Sequence, residues 1–290
     1  MANLKDLRKR IQVVKSTKKI TSAMKLVATS YVKKAEERYH SGQKYKEGFQ
    51  KAIDILLSNI ANSDLEEKNA LIAGRKGKNH LIILLSADRG LCGGFNGNIG
   101  RYASKRIAQL QKDGKEIQIM CIGKKAMGAI KPAHKSLVVK AMPMPTEQHY
   151  HYISMVTEKI IEGFLKKEFD TCEIIYNEFK SILACLPACL NFMPVQRTEN
   201  KENKEPPLYD LEPKEDASVD RMIRKYMTAQ LYAAVMDSQV SEQSSRMMAM
   251  DNASRNAEEL INKLELKYNR TRQSMITSEL IEIISGAEAL

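Results

Sequence analysis

The chain has 290 residues, a net charge of +11 and a mean hydropathy of −0.39, and 28% of its residues are charged. This length allows one or two domains, and the most apolar stretch, 81–85, is far shorter than the roughly 18 residues that a membrane-spanning helix needs. An integral membrane protein is therefore excluded. Five cysteines, odd in number and without a CxxC pair, predict reduced thiols and no zinc site.

Helix-breaking residues are confined to the middle of the sequence. All eight prolines lie within 132–213, and thirteen of the fourteen glycines lie within 42–163. Because residues 1–41 and 214–285 contain neither, the sequence predicts a long uninterrupted helix at each end. The basic start of the chain lacks the apolar segment of a secretory signal, so we expect it to belong to the mature protein.

The N-terminal segment, 1–60, is predicted to be a coiled-coil helix, with a stop near Ser41 and Gly42 after which the pattern resumes. Residues 1–35 carry ten Lys or Arg and one Asp, a net charge of +9. This stripe predicts a polyanionic partner: nucleic acid, an anionic membrane surface or an acidic protein surface. Apolar residues repeat three and four apart, with one slip, at Leu4, Leu7, Ile11, Val14, Ile20, Met24, Val27 and Tyr31.

Residues 75–198 are predicted to form a small α/β domain. Helical patterns at 99–111 and 150–167 separate short apolar runs, and this alternation predicts a parallel sheet covered by helices. The polar, proline-bearing segment 199–216 is predicted to be a flexible connection. The apolar runs that predict strands are 80–86, 117–123, 137–140, 172–176 and 189–195.

Residues 217–290 are predicted to form the second coiled-coil helix, capped by Asp216 or Ser218 and ending at Gly286. Its seam residues are mostly small or soft, which favours a slender two-helix rod over a leucine-rich zipper. The three-and-four spacing runs through Met247, Met250, Ser254, Ala257, Ile261, Leu264, Tyr268, Thr271 and Met275, and continues one position on at Ile276, Leu280, Ile283 and Ala287.

Motifs for catalysis and nucleotide binding are incomplete. The glycine-rich stretch 90–97 follows the first predicted strand, but it lacks the Lys-Ser or Lys-Thr of a phosphate-binding loop and the GxGxxG spacing of a dinucleotide site. His149 and His151 stand without the acids or cysteines that would complete a metal site. We therefore expect this chain to have no catalytic site and to bind no cofactor or metal.

Segments at both ends and in the middle of the chain resemble the gamma subunit of F-type ATP synthases. They include SADRGLCGGFN at 86–96 and ITSELIE at 276–282. The resemblance spans nearly the whole chain and implies an α/β protein in which the N- and C-terminal helices form a long antiparallel coiled coil, with a central Rossmann-like α/β domain. The other similar segments are 4–11, 15–28, 241–247, 269–273 and 285–287.

The resemblance implies a rotor subunit that couples proton flow to ATP synthesis or hydrolysis. One copy of the coiled coil would stand inside a three-fold ring of alpha and beta subunits, and the α/β domain would rest on epsilon and the ring of c subunits. ATP, ADP and Mg would be bound by partner subunits. Membrane association would be peripheral and indirect, on the cytoplasmic side of a bacterial inner membrane or on the matrix side of a mitochondrial one.

The resemblance also assigns site residues, all of them contacts with the beta subunit. Two positions depart from the family pattern: Lys18 stands where the family has Gln, and Tyr31 lies in a stretch that differs from the family text. The residues implied for beta contact and torque are Met24, Arg246, Gln273, Thr277 and Glu279, and the glycine turn adds Arg89 and Cys92.

The residues alone leave two other classes of function open. A basic coiled-coil protein that binds nucleic acid or serves as a scaffold would use the same N-terminal stripe, although 6% aromatic content and no Trp disfavour stacking on bases. Salt-sensitive DNA binding that outcompetes an alpha/beta ring would favour it. A nucleotide-dependent enzyme would require turnover by the isolated chain.

Overall fold

The computed structural model describes residues 4–60, 69–75, 77–145, 149–195 and 216–288. Contacts divide the chain into two compact units. We call Met1–Ser30 together with Arg246–Leu290 the helical unit, and Tyr31–Ser245 the sheet unit. Each of the two longest helices contributes residues to both units. The predicted connection 199–216 lies, apart from Asp216, outside the described residues.

Six α-helices and five strands make up the described chain, together with a 3-10 turn at Pro132–Leu137. The long terminal helices are α1 and α6, and the strands and shorter helices lie between them in sequence. In chain order the elements are α1 Leu4–Ile60, α2 Ala70–Ala73, β1 Asn79–Leu85, α3 Phe95–Lys112, β2 Glu116–Ile122, α4 Ala126–Ala129, β3 Val138–Met142, α5 His149–Leu165, β4 Thr171–Ser181, β5 Ala184–Met193 and α6 Asp216–Glu288.

The sheet unit contains a five-stranded sheet in the order β3-β2-β1-β4-β5. The pairs β1–β2, β1–β4 and β2–β3 are parallel, as predicted, whereas β4 and β5 form an antiparallel hairpin. The sequence places no helix between these last two strands, so they join through a short turn, which only antiparallel strands can do. All five predicted strands and both predicted helices are confirmed.

Alternating side chains of β1 enter two separate hydrophobic cores. Ile82 and Leu84 pack with Ile99 and Ile107 of α3 on one face of the sheet. Residues 81, 83 and 85 point to the other face, where α1, α5 and α6 supply the core. The period of two along a strand that is apolar at nearly every position therefore produces a sheet covered on both faces.

The predicted stop in α1 at Ser41 and Gly42 is wrong, because the helix continues unbroken to Ile60. A Cβ at Gly42 would lie 3.3 Å from the Tyr232 ring and 3.4 Å from Met236 Cγ of α6. Gly42 therefore permits a close approach of the two helices within the sheet unit. The predicted end of α6 at Gly286 is also early, since the helix continues through Glu288.

In the helical unit, the predicted seam of α6 is confirmed from Met250 to Thr271, and from Met275 onward the side chains are exposed. The α1 seam is confirmed through Val14 and at Met24, which is half-buried, and it is wrong at Ile20, which is 60% exposed, and at Val27, which is also exposed. Small residues let the helices approach, and lysines reach acids across the seam. The α1 positions beyond Val14 that reach α6 include Lys15, Lys18, Ser22 and Lys25.

Candidate partner-binding surfaces

A ladder of polar pairs closes the seam of the helical unit. As the α1 residue number rises, that of its α6 partner falls, so the helices are antiparallel. The ion pairs are partly exposed, and each contributes little alone, typically about 0–1 kcal/mol. The pairs are Lys15 Nζ–Glu265 Oε1 (2.7 Å), Lys18 Nζ–Glu258 Oε1 (2.8 Å), Ser22 Oγ–Ser254 Oγ (2.8 Å) and Lys25 Nζ–Asp251 Oδ1 (2.5 Å).

The ladder explains one of the two departures from the family pattern. Lys18 does not point away from the rod, since its ammonium binds Glu258 of α6. Asp251 binds Arg255 as well as Lys25, and its pKa is lowered, first by the hydrogen bond from Lys25. Lys15, Lys18 and Lys25 of the N-terminal stripe are thus engaged inside the helical unit. Tyr31 is exposed in the sheet unit, and nothing in the structure explains it.

Met24 and Arg246 lie at nearby levels of the helical unit. The register of the ladder places residue 246 opposite residue 30, so the two side chains are about 9 Å apart along the axis. Both are half-buried. This geometry allows both side chains to reach one partner surface, and their contact with a beta subunit stays a prediction.

Gln273, Thr277 and Glu279 lie where α6 extends past the start of α1, and all three are exposed. Thr277 Oγ1 donates to the carbonyl of Gln273 at 2.9 Å, so these two share one helix face. Glu279, six residues from Gln273, points to a different face. The same stretch exposes a set of large apolar side chains, which marks it as a binding surface: Met275, Ile276, Leu280, Ile281, Ile283 and Ile284.

The glycine turn after β1 separates its two predicted contact residues. Arg89 is exposed, whereas Cys92 is 2% exposed and packs with Ala87 and Phe95. The Cys92 thiol donates to the Arg89 carbonyl (3.8 Å) and accepts from Asn96 Nδ2 (3.2 Å). The structure thus gives Cys92 a role inside the turn, and its contact role stays a prediction.

Sequence reasoning missed the residue that ties this turn to the sheet. Asp88 Oδ1 accepts backbone N–H groups of Lys124 (2.9 Å) and Met144 (3.1 Å), which follow β2 and β3. The carboxyl ends of three parallel strands are thereby joined by one carboxylate. The signals that could have found it were its position shortly after a buried strand and its place in the similar segment 86–96.

A buried polar cluster lies where α3 meets β4 and β5. Arg106 Nε donates to Glu173 Oε2 (2.8 Å), its second nitrogen donates to the other carboxylate oxygen, and the Cys189 thiol donates to Oε2 (3.2 Å). Burial alone would raise the pKa of Glu173, but the Arg106 hydrogen bonds hold it well below its usual range. Burial and the carboxylate raise the pKa of Cys189 to about 12, so this thiol is a poor nucleophile.

The carboxyl end of β4 is covered by α6. Ser241 Oγ donates to the Asn177 carbonyl (3.1 Å), and the Phe179 N–H donates to Asp237 Oδ1 (3.0 Å). Open α/β sheets bind nucleotides at the carboxyl ends of strands where the strand order reverses, which here is between β1 and β4. The helix therefore lies beside the place where a nucleotide would enter. Within the described ranges, no group of three His, Cys, Asp or Glu side chains could hold a metal ion.

Among the described residues, no helix combines the length and the apolar character that a membrane span requires.

A family model described as ATP synthase matches residues 3–290. The ATP synthase gamma chain of Pelagibacter ubique is 42% identical over 293 residues, and that of Sinorhizobium medicae is 38% identical over 295. Each comparison covers 100% of both chains.

Solved structures share the fold at low identity. The rotor of the Euglena gracilis mitochondrial ATP synthase matches with a TM-score of 0.68 and 18% identity, covering 94% of this chain and 98% of that one. The central stalk and c-ring structure from Tetrahymena thermophila gives 0.58 and 22%, covering 81% and 99%. With the full-length sequence match, these findings show that the chain belongs to the ATP synthase gamma chain family.

Proposed function

We propose that this chain is the central-stalk rotor subunit of an F-type ATP synthase. It couples proton flow through the membrane sector to ATP synthesis, or to the reverse hydrolysis, at the catalytic sites of the beta subunits. The observation that carries the proposal is α6, which runs from Asp216 to Glu288 without a proline or a break. The 42% sequence identity with a gamma chain, over the full length of both chains, supports the same role.

The helical unit has the mechanical properties that a shaft requires. A proline kink would absorb twist, and neither α1 nor α6 contains a proline. The buried seam residues and the polar ladder together hold the two helices in register, so torque applied to one would be passed to the other. Its ion pairs stay partly hydrated, so their loss during a transient strain costs little and is quickly reversed.

Rotation of an asymmetric shaft would bias the three catalytic sites in turn. In the proposed assembly, the helical unit stands within the ring of alpha and beta subunits, and the sheet unit rests on epsilon and the c ring. Each shaft orientation stabilises one conformation of the beta subunit facing it, which is a population shift driven by contact. Met24, Arg246, Gln273, Thr277 and Glu279 are the proposed contact residues.

The chemistry of ATP would then belong to the partner subunits. We assign no catalytic site to this chain, and ATP, ADP and Mg bind elsewhere in the complex. The α6 side chains beside the switch point of the sheet support this assignment. The chain would associate with the membrane peripherally, on the cytoplasmic side of a bacterial inner membrane or the matrix side of a mitochondrial one.

A reversible tie between shaft and ring tests the proposal. The complex is purified with Arg246→Cys in this chain and a cysteine in the facing loop of beta, and ATP hydrolysis is measured before and after oxidation. We expect loss of hydrolysis in proportion to disulfide formed, with recovery on reduction. Undiminished hydrolysis at complete disulfide formation contradicts the rotor role. Arg246→Cys with unaltered beta is the matched control.

Charge at the beta contact provides a second test. Met24→Lys adds an ammonium beside Lys25 on a half-buried position, so we expect ATP-driven proton pumping to fall more than hydrolysis does. Proton pumping is followed with a pH-sensitive dye in vesicles that contain the complex. Equal pumping per ATP hydrolysed in both proteins would remove Met24 from the contact.

A further inference from the structure

A cavity of about 570 Å³ lies at the edge of the sheet formed by β5, within the sheet unit. Four consecutive residues of β5, 189–192, line it, together with side chains of α3 on one face of the sheet and of α1 and α6 on the other. Ligand pockets in proteins usually measure about 300–1,000 Å³. The cavity therefore has the size of a binding site, and none of the proposed beta-contact residues lines it.

The chemical character of the lining favours an anion. Of the described residues that line the cavity, none is acidic, whereas Lys46 and Arg106 are cationic. Cations and amide donors with no competing carboxylate in the lining are suited to a carboxylate or phosphate group. The lining side chains that add neutral hydrogen-bond donors are Gln50, Tyr102, Gln109, Asn191, Tyr226 and Gln230.

Both cations keep bonding capacity for a ligand. Arg106 binds Glu173 through Nε and Nη2, and its Nη1 has no hydrogen-bond partner in the part of the chain that the structure describes. Lys46 is half-buried, and although its charge lowers the pKa of Asp237, it forms no ion pair with any described residue. Because burial removes part of the hydration of Lys46, an anion beside it is bound more strongly than one at the open surface.

The polar groups deepest in the cavity are held in place by the protein itself. Gln230 Nε2 donates to the Tyr226 hydroxyl, which donates to Gln50 Oε1 at 2.7 Å. Tyr226 is 2% exposed and Gln230 is 7% exposed. The Arg106 guanidinium is likewise fixed by the buried Glu173 carboxylate. Since these side chains are already ordered, a ligand that binds them loses little additional entropy.

We propose that this cavity binds a small organic anion, whose carboxylate or phosphate groups are bound by Lys46 and Arg106 and whose carbon body lies against Leu190. A sixth strand from another polypeptide fits less well, because Pro187 lacks an N–H and the pairing of β5 with β4 is irregular next to Asn191. The bound anion connects β5 and α3 with both long helices. The site does not depend on the rotor function.

Titration of the purified full-length chain with two probes tests the proposal. Succinate carries carboxylates and glycerol 3-phosphate carries a phosphate group, and each is titrated by calorimetry at an ionic strength held constant with sodium chloride. We expect a dissociation constant of about 1 mM or lower for at least one probe, with shifted NMR signals of the Asn191 and Gln109 side-chain amides. Binding of one probe alone identifies a carboxylate or a phosphate ligand, and binding of both identifies a site for either group.

Two variants of the lining and one control locate the site. Lys46→Gln removes a cation, so we expect binding to be weaker by about tenfold, as the loss of a charge-assisted hydrogen bond predicts. Asn191→Asp keeps the size of an exposed side chain but adds a negative charge to the lining, and should weaken binding by about tenfold or more. Lys44→Gln, at an exposed position of α1 outside the lining, is the matched control and should bind as wild type does.

Several results would overturn the anion site. One is the absence of saturable binding of both probes in the millimolar range. Another is binding that Lys46→Gln and Asn191→Asp leave unchanged, or that Lys44→Gln weakens equally, which would indicate general attraction to a basic surface. Melting temperatures are measured without probe, and a fall in both lining variants would make these residues structural and reject the site. The rotor function would survive each of these results.

Discussion

The same two helices meet two different environments in this protein. In the sheet unit, α6 residues such as Ile223, Met227 and Leu231 are fully buried in a core shared with the sheet. In the helical unit, its seam is shallower, polar side chains of α6 pair with α1 across it, and the residues from 272 to 287 are exposed. One continuous helix can therefore be a core element over one stretch and a bearing surface over the next, and its local packing decides which.

The largest expected effect breaks the core of the sheet unit. Phe164 is fully buried against Phe169, and the Arg75 guanidinium lies 4.7 Å from its ring centroid. We expect Phe164→Ala to lower the free energy of unfolding by about 3–5 kcal/mol, because the cavity cannot collapse. Urea denaturation followed by circular dichroism measures it. If Phe164→Ala lowered the free energy of unfolding no more than Ile261→Ala in the helical unit does, the cores of the two units would be equally shallow.

The buried polar cluster should give the next effect. Glu173→Gln removes the carboxylate that Arg106 binds, and we expect a loss of about 2 kcal/mol at pH 7. Because the folded pKa lies below the usual 4.5, the carboxylate stabilises the fold above pH 4.5 and this contribution is lost as pH falls further. Thermal melts between pH 3.5 and 7 should therefore show the two proteins converging in acid. A constant gap would contradict the assigned charge state.

The carboxyl group of Asp237 should make stability depend on pH in the opposite direction. Burial raises its pKa from 3.8 to about 6, so ionisation destabilises the fold as pH rises through this range and protonation restores the stability below it. The carboxylate faces Gln43, the Phe179 N–H, Lys46 and Glu178. We expect Asp237→Asn to stabilise the protein by about 1–2 kcal/mol at pH 8 and by nothing near pH 4. Thermal melts of both proteins at pH 8 and pH 4 test this prediction. If Asp237→Asn destabilised the protein at pH 8, the raised pKa of Asp237 would be contradicted.

The smallest expected effect lies in the helical unit. Lys18→Gln restores the family residue and removes the exposed pair with Glu258, so we expect a loss below about 1 kcal/mol that disappears in 1 M salt. Hydrogen exchange of residues 4–30 measures the local opening. Lys19→Gln, one position on, is the matched control. A loss of several kcal/mol would contradict the small contribution expected of this exposed pair, and a loss that persists in 1 M salt would show that Lys18 acts through packing and not through its charge.

Periodicity predicted the elements well and the seam of α1 poorly. Short apolar runs bounded by turn or charged residues predict strands such as β1. The regular spacing of three and four residues predicts the seam of α6. The α1 seam prediction is wrong at Ile20 and Val27, because apolar spacing cannot show that Lys18 and Lys25 turn inward to acids of α6, more than two hundred residues away in the chain. The predicted helix stop at Gly42 is wrong for a similar reason, because its contact with Tyr232 joins residues that are distant in sequence. The positive φ of Leu91, 61°, was also not predicted, because left-handed backbone is expected at glycine and not at leucine.

The antiparallel pairing of α1 and α6 also has a consequence for synthesis. The first residues of α1 are synthesised about 212 residues before α6 begins, which at about 5–20 residues per second is on the order of 10–40 s. During that time the seam around Leu7, and the cations that later pair with Glu258 and Asp251, have no helix against them. The core of the sheet unit is also incomplete until α6 is synthesised, because α6 residues are part of it. The nascent chain therefore holds a basic amphipathic helix uncovered until its last quarter is made.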